Sequence, residues 1–189
     1  DILGVWEDRD NADHVYIGIA HSEANTQIWI PNTALPRYNG PNGLASVLGP
    51  FAAFVDRTGR AGVFNSIGGQ FYYGTSSLPT MEFGPPVIAA QVIPNFGDDD
   101  LKSIANDPAL GHVYATFTAT SGDYPFLIYT IEFLRSMDSG RTWEPPVALS
   151  SRYCDASTVV VDPDEGVIVA YMDYQQGRFV GRKSTDHGV

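Results

Sequence analysis

The sequence predicts an all-β fold, built from small antiparallel sheets that follow one another along the chain. Runs rich in Val, Ile, Phe and Tyr recur throughout, and no long apolar stripe has helical spacing. The 19 glycines and 13 prolines interrupt these runs, as short antiparallel strands require. With 189 residues, of which 43% are hydrophobic, the chain is long enough to bury a sizeable core.

A turn followed by a strand recurs about every fifty residues, a period typical of repeat architectures. Each turn contains an aspartate, and the strand after it is rich in β-branched and aromatic residues. The four aspartates are Asp10, Asp56, Asp107 and Asp162. We therefore expect four repeat units, at residues 1–43, 44–93, 94–150 and 151–189.

The strands of the last unit indicate how the units pack. In residues 159–161 and 167–172 both faces of the strand are largely apolar, which fits a small sheet that is covered on both sides. A second similarity supports the repeat, because a segment that begins at Phe83 matches one that begins at Trp143. The pattern favours small sheets stacked face to face around a common axis.

The stretch from Ser136 to Trp143 reads S-x-D-x-G-x-T-W and predicts a tight hairpin turn. A short carboxylate accepts backbone N–H groups two residues on, and glycine adopts positive φ without a Cβ clash. An indole must be buried against something, and its N–H needs one partner. A second copy of the motif begins at Ser184. The motif positions are Ser136, Asp138, Gly140, Thr142 and Trp143 in the first copy, and Ser184, Asp186 and Gly188 in the second.

This motif resembles the Asp-box, or BNR repeat, of sialidase-like β-propellers. The resemblance implies a β-propeller of four-stranded antiparallel blades, with the box on the outer rim of each blade and away from the active centre. A six-bladed ring needs roughly 300 residues, so the chain supplies about three and a half of six or more blades. We expect the propeller to continue beyond this chain, or another chain to cover the open blade faces.

Charge and composition limit the classes of partner that this chain can bind. The net charge of −11 would repel a phosphate backbone, so nucleic acid is excluded as a partner. No run approaches the roughly 20 apolar residues of a membrane helix. The resemblance implies a secreted or cell-surface protein that takes a carbohydrate or protein ligand. Cys154 is the single cysteine, which excludes an internal disulfide.

Candidate ligand-binding residues lie in the loops that lead into the first strand of a unit, because the resemblance places the ligand at the central channel there. Asp100 and Asp155 occupy equivalent positions, seven residues before a turn aspartate. Arg152 and Tyr153 lie beside Asp155, and we predict that these four residues line the channel mouth. A structural alternative is that the aspartates only accept backbone hydrogen bonds and fix each strand entry.

No cofactor is expected, although a structural calcium ion remains an alternative. Acidic runs at residues 8–13 and 162–165 offer the oxygen ligands that calcium prefers, but neither matches an EF-hand loop. The acidic loop at 98–100 has the same two interpretations, a calcium site or a solvated loop. Zinc is disfavoured because the four histidines are scattered and one cysteine cannot build a thiolate cluster.

The resemblance to sialidases implies a set of catalytic residues, and we searched this sequence for that set. A sialidase has three arginines that grip a carboxylate, an Asp acid/base and a Tyr/Glu nucleophile pair. No such set can be matched here, and Arg37-Tyr38 and Arg152-Tyr153 are only loose candidates. We therefore predict a glycan-binding, protein-binding or structural module. The alternative is a sialidase-type glycoside hydrolase whose catalytic set lies partly outside this segment, so enzymatic activity is left open.

Overall fold

The structure, a computed structural model, describes residues 2–9, 15–22, 30–31, 52–55, 60–67, 70–77, 87–91, 102–122, 126–162 and 166–188. Every regular element in these ranges is a β-strand, which confirms the all-β prediction. The strands are β1 (Ile2–Arg9), β2 (Val15–Ser22), β3 (Ile30–Pro31), β4 (Ala52–Val55), β5 (Arg60–Ile67), β6 (Gln70–Ser77), β7 (Val87–Gln91), β8 (Lys102–Asp107), β9 (His112–Ser121), β10 (Ile128–Ser136), β11 (Val147–Ala148), β12 (Cys154–Asp162), β13 (Gly166–Asp173) and β14 (Arg178–Ser184).

The strands form four antiparallel sheets, each made from strands that are consecutive in the chain. The first sheet is β1-β2-β3, the second β4-β5-β6-β7, the third β8-β9-β10-β11 and the fourth β12-β13-β14. The second and third sheets share a register, since Tyr73 pairs with Val87 as Phe133 pairs with Val147. The antiparallel sheets confirm that part of the prediction, whereas the number of blades, the closure of a ring and the unit boundaries stay predictions.

Strand β9 shows how the sheets stack. Its residues from Val113 to Thr118 are buried on both faces, as expected for a strand inside a stack. Because neighbouring side chains of a strand point to opposite faces, Val113 and Phe117 pack toward the second sheet while Tyr114 packs toward the fourth. The third sheet therefore contributes to two separate apolar cores, one on each side.

The turn after β10 is held by its own side chains. Ser136 Oγ donates to Asp138 Oδ1 over 2.9 Å and accepts the N–H of Gly140 over 2.8 Å. Thr142 donates its N–H to Asp138 Oδ1 over 2.8 Å and its hydroxyl to Asp138 Oδ2 over 2.6 Å. Ser139 and Gly140 both have positive φ, of 64° and 84°. Side-chain oxygens thus accept backbone N–H groups of the turn that have no partner in the strand pairing.

Burial of the Asp138 carboxylate acts to raise its pKa, but hydrogen bonds from Thr142, Ser136 and the Arg141 backbone outweigh that effect. The pKa of Asp138 therefore lies below its ordinary value, so the folded turn favours the charged carboxylate.

This turn also joins the second and third sheets. Gly140 lies directly against the ring of Tyr73, so closely that a Cβ at this position would overlap the ring. Trp143 meets Tyr73 edge to face at 5.3 Å and Phe64 at 6.0 Å, and its indole N–H donates to the Gly140 carbonyl over 3.2 Å. The aromatic ring and the glycine together fix how the two sheets approach each other.

The turn after β14 repeats part of this arrangement. Ser184 Oγ donates to Asp186 Oδ1 over 2.5 Å and accepts the N–H of Gly188 over 2.6 Å. His187 and Gly188 have φ of 59° and 86°, close to the values of Ser139 and Gly140. A Cβ at Gly188 would lie 3.0 Å from the ring of Phe133 in the third sheet.

An apolar cavity of about 240 Å³ lies where the third and fourth sheets meet at this turn. Its lining includes Phe133, Val147, Leu149, Val167 and Val169. The described residues thus leave an apolar space beside this turn.

Candidate functional site

A second cavity, of about 210 Å³, lies between the third and fourth sheets at their opposite edge. It is lined by Tyr129, Tyr153, Asp155 and Tyr174, and we call it the tyrosine cavity. Tyr129 lies near the start of β10, Asp155 near the start of β12, and Tyr174 directly after β13. Antiparallel pairing brings these strand ends to one edge, which explains how residues so distant in sequence share a cavity.

The Asp155 carboxylate is held on one side and open on the other. Its Oδ1 accepts the Thr118 hydroxyl over 2.6 Å and the Ala156 N–H over 2.7 Å. Thr118 belongs to the third sheet and is buried, so its hydrogen bond ties Asp155 across the sheet junction. Asp155 lines the cavity, and within the described residues its Oδ2 takes no hydrogen bond.

The backbone around Asp155 departs from a regular strand. The pairing of β12 with β13 shifts register between Asp155 and Thr158, and Ala156 has φ of 55° in this bulge. Tyr153 has φ of 52°, again in the left-handed region that non-glycine residues rarely adopt. Bulges re-aim side chains at the edges of sheets, and backbone strain of this kind concentrates at functional sites. The irregular backbone thus lies at the two residues, Tyr153 and Asp155, that line the cavity from this strand.

The three tyrosines present accessible aromatic surface to the cavity. Tyr129 is 37% exposed, Tyr153 42% and Tyr174 60%. The Tyr174 N–H donates to the Tyr153 carbonyl over 3.0 Å, and Asp173 accepts the Gln176 N–H over 2.9 Å. These bonds position the turn that carries Tyr174. The result is a concave group of aromatic rings with one carboxylate in it, which is a common composition for a small-molecule site.

The structure brings together two of the four residues predicted to bind ligand. Tyr153 and Asp155 both line the tyrosine cavity, whereas Arg152 is exposed on the adjoining loop and does not line it. Asp100 lies outside the described residues. Sequence reasoning missed Tyr129 and Tyr174, which lie at the ends of strands β10 and β13 and belong to no motif in the sequence.

Other candidate chemistry finds little support in the described part of the chain. No group of three His, Cys, Asp or Glu side chains that could hold a metal ion occurs there. The acidic runs at 8–13 and 162–165, and the loop at 98–100, fall wholly or partly outside the described residues, so the calcium site stays a prediction. Cys154 is buried and its thiol donates to the Arg152 carbonyl over 3.3 Å, which fits a structural role.

Comparison with known proteins finds similarity in structure alone. No family model matches the sequence. No curated protein matches it either. In the part of the chain that the structure describes, no helix is long and apolar enough to cross a membrane.

Solved structures similar to this chain are carbohydrate-active enzymes. A variant of the NanB sialidase from Streptococcus pneumoniae aligns with a TM-score of 0.58 at 13% identity, over 90% of this chain and 29% of that one. An N-acetylgalactosamine deacetylase from F. plautii, in complex with blood group B trisaccharide, aligns with a TM-score of 0.52 at 12% identity, over 98% and 66%. An α-L-arabinanase from Cellvibrio cellulosa, complexed with arabinohexaose, gives 0.50 at 9% identity, over 90% and 65%.

These similarities establish the type of fold. The chain has the stacked antiparallel sheets of the β-propeller enzymes, the sialidase and the arabinanase among them. It spans 29% of the length of the sialidase chain. At such low identities the likeness concerns the fold and carries no activity to this chain.

Proposed function

We propose that this chain is a carbohydrate-binding module of an Asp-box propeller, with its ligand site in the tyrosine cavity. The observation that carries the proposal is that three accessible tyrosines and the Asp155 carboxylate line one cavity. The membership in the Asp-box family rests on the motif at Ser136 to Trp143 and on the hydrogen bonds that hold this turn.

The cavity has the chemistry that a sugar requires. A sugar ring has apolar C–H faces and many hydroxyl groups, so it is bound by flat rings that also carry a polar group. The three tyrosines supply such rings, and Asp155 Oδ2 supplies an acceptor for ligand hydroxyls. Because Thr118 and Ala156 already fix the carboxylate, little side-chain freedom is lost when a ligand binds.

The similar structures support this choice. The deacetylase and the arabinanase were both solved with a saccharide bound, and the sialidase is named for its action on one. A saccharide ligand is therefore the first class to test on this fold, whereas a protein ligand has no comparable support.

A sialidase-type glycoside hydrolase is the second candidate, because Asp155 lies in a cavity beside tyrosines. Glycoside hydrolysis generally needs two carboxyl groups that flank the scissile bond. The described residues place one carboxyl group, that of Asp155, in the cavity lining. Burial raises the pKa of Glu132 and a Thr130 hydrogen bond lowers it, with a net rise, but Glu132 points to the face of β10 opposite to Tyr129. We therefore rank binding above hydrolysis.

The proposal is tested by titrating the protein with a panel of oligosaccharides in a calorimeter and repeating the titration with Tyr174→Ala. Loss of one stacking ring should weaken binding about tenfold or more. Phe179→Ala is the matched control, because Phe179 is an exposed aromatic residue, 77% accessible, that does not line the cavity. Equal loss in both variants, or no binding by the unaltered protein, would reject the site.

The hydrolase alternative is tested with a fluorogenic sialoside. We expect no turnover above that of a heat-denatured sample. Robust turnover that disappears in Asp155→Ala would reverse the ranking and make this chain part of an enzyme.

We infer an extracellular or cell-surface location, a ring of six or more blades, and open sheet faces covered by further blades or another chain. The likeness to propeller enzymes and the burial of both faces of the third sheet support the stacked arrangement.

A further inference from the structure

The charge balance of the tyrosine cavity distinguishes between classes of sugar. Among the described residues, its lining has one carboxylate, that of Asp155, and no arginine, lysine or histidine. Among the described residues Asp155 takes part in no ion pair. Arg152 lies on the adjoining loop, yet its side chain is exposed and outside the cavity lining. A ligand in this cavity therefore meets a negative charge that the described side chains leave unbalanced.

The aromatic rings add to this preference. The face of a tyrosine ring attracts a cation, and groups of such rings with a nearby carboxylate bind ammonium ligands in other proteins. Each of the three tyrosines that line the cavity is exposed in part, so aromatic surface is accessible to a ligand there. The overall charge of −11 also raises the local concentration of cations near the surface.

We propose that the tyrosine cavity selects glycans with a free amino group over their N-acetylated and sialylated counterparts. This inference rests on the proposed function, since it names the ligand class of the same site. The ammonium group of the sugar donates to Asp155 Oδ2 while the sugar ring lies against the tyrosines. An N-acetyl group removes that charge, and the carboxylate of a sialic acid meets Asp155 as a like charge.

The test uses matched ligands that differ only at nitrogen, chitotetraose as the free amine and its fully N-acetylated form. Calorimetric titration at neutral pH and low salt should show binding of the amine at least about tenfold tighter, because charge-assisted hydrogen bonds are the stronger ones. A sialylated trisaccharide, 6′-sialyllactose, should bind more weakly than either. Raising the salt to 0.5 M should reduce the preference only in part, since the pair is partly shielded from solvent.

Two variants separate the site from the general charge of the protein. Asp155→Asn keeps the acceptor for Thr118 and Ala156 but removes the charge, so it should lower the preference for the amine to about twofold or less. Asp186→Asn removes the same charge from the turn after β14, away from the cavity, and should keep the preference.

The outcomes are distinguishable. Equal affinity for the two tetrasaccharides, with loss of both in Tyr174→Ala, overturns this inference and keeps the carbohydrate site. Failure of all three saccharides to bind overturns the proposed function with it. A preference for the amine that falls equally in Asp155→Asn and Asp186→Asn would show general charge attraction and would also overturn the inference.

Discussion

The third sheet meets its two neighbours in different ways. Toward the second sheet, Gly140 lies against Tyr73 and Trp143 fills the space between Tyr73 and Phe64. Toward the fourth sheet, Gly188 approaches Phe133 in the same manner, but an apolar cavity of about 240 Å³ remains beside the ring. The contact between a turn glycine and an aromatic ring is present at both junctions, and at the first one Trp143 packs beside it.

The residues of the turn motif have two different roles. The serine, aspartate and glycine shape the turn and allow the close approach, because they act through local hydrogen bonds and positive φ. The tryptophan then fills volume that the approach leaves empty. The junction of the third and fourth sheets, which has the apolar cavity at one edge, also has the tyrosine cavity at the other.

Replacing the turn glycine should have the largest effect, and the effect should differ between the junctions. Gly140→Ala adds a methyl group that overlaps the fully buried Tyr73 ring, on a backbone with φ of 84°. We expect a loss of about 4 kcal/mol in the free energy of unfolding, measured by urea titration, from backbone strain and overpacking together.

Gly188→Ala is the matched variant, because the backbone is similar but the added methyl group lies 3.0 Å from Phe133, beside open volume. It should cost about 2 kcal/mol, mainly from the backbone. Equal losses in the two glycine variants would contradict the account of the two junctions.

Trp143→Ala should destabilise next most strongly. It removes the ring between Phe64 and Tyr73 and leaves a cavity at the junction of the second and third sheets. Because Trp143 is only partly buried, we expect the free energy of unfolding to fall by about 3 kcal/mol, at the low end for removal of a large aromatic side chain. Trp143→Phe should recover more than half of the loss in the same urea titration. A loss below about 1 kcal/mol would mean that the indole does not support the junction.

The carboxylate of the first turn should matter moderately. Asp138→Ala leaves the Thr142 N–H and the hydroxyls of Ser136 and Thr142 without their acceptor. The expected cost is about 2 kcal/mol in the thermal or urea unfolding of the protein. Asp186→Ala, at the second turn, should cost less because that turn is more exposed. The reverse order of the two variants would contradict the proposed role of Asp138.

The smallest effect is a pH dependence that originates at Asp138. Its pKa is lower in the folded turn than the ordinary value of 3.8, so the charged form stabilises the fold. That contribution is fully present above the ordinary pKa and is lost as the pH falls through the lowered one. Asp138→Asn should therefore be less stable at neutral pH and should show a shallower loss of stability below about pH 4. Parallel acid-unfolding curves for both proteins would exclude this contribution.

The sequence predicts local features better than contacts between sheets. The turn from Ser136 to Thr142 is stabilised by hydrogen bonds between its own residues, so residue types and spacing suffice to predict it. Strand positions follow in the same way from alternation and from turn residues. Tyr129 and Tyr174 come together only because two sheets stack, and spacing along the chain cannot show that proximity.

The candidate site was predicted in part for the same reason. Asp155 and Tyr153 were predicted because they lie where the chain enters β12, and this part of the chain lines the cavity. Arg152 lies in the same loop, but the backbone directs its side chain to solvent. The bulge after Asp155, which aims the carboxylate, depends on the pairing of β12 with β13 and has no signature in the sequence.

The central claim is that the tyrosine cavity, between the third and fourth sheets, binds a saccharide at Asp155 and the three tyrosines. Crystals of the protein soaked with chitotetraose test it most directly. The account predicts a sugar ring against Tyr153 or Tyr174, with a nitrogen or hydroxyl within hydrogen-bond distance of Asp155 Oδ2. A saccharide bound elsewhere, with the tyrosine cavity holding only water at saturating ligand, would contradict it.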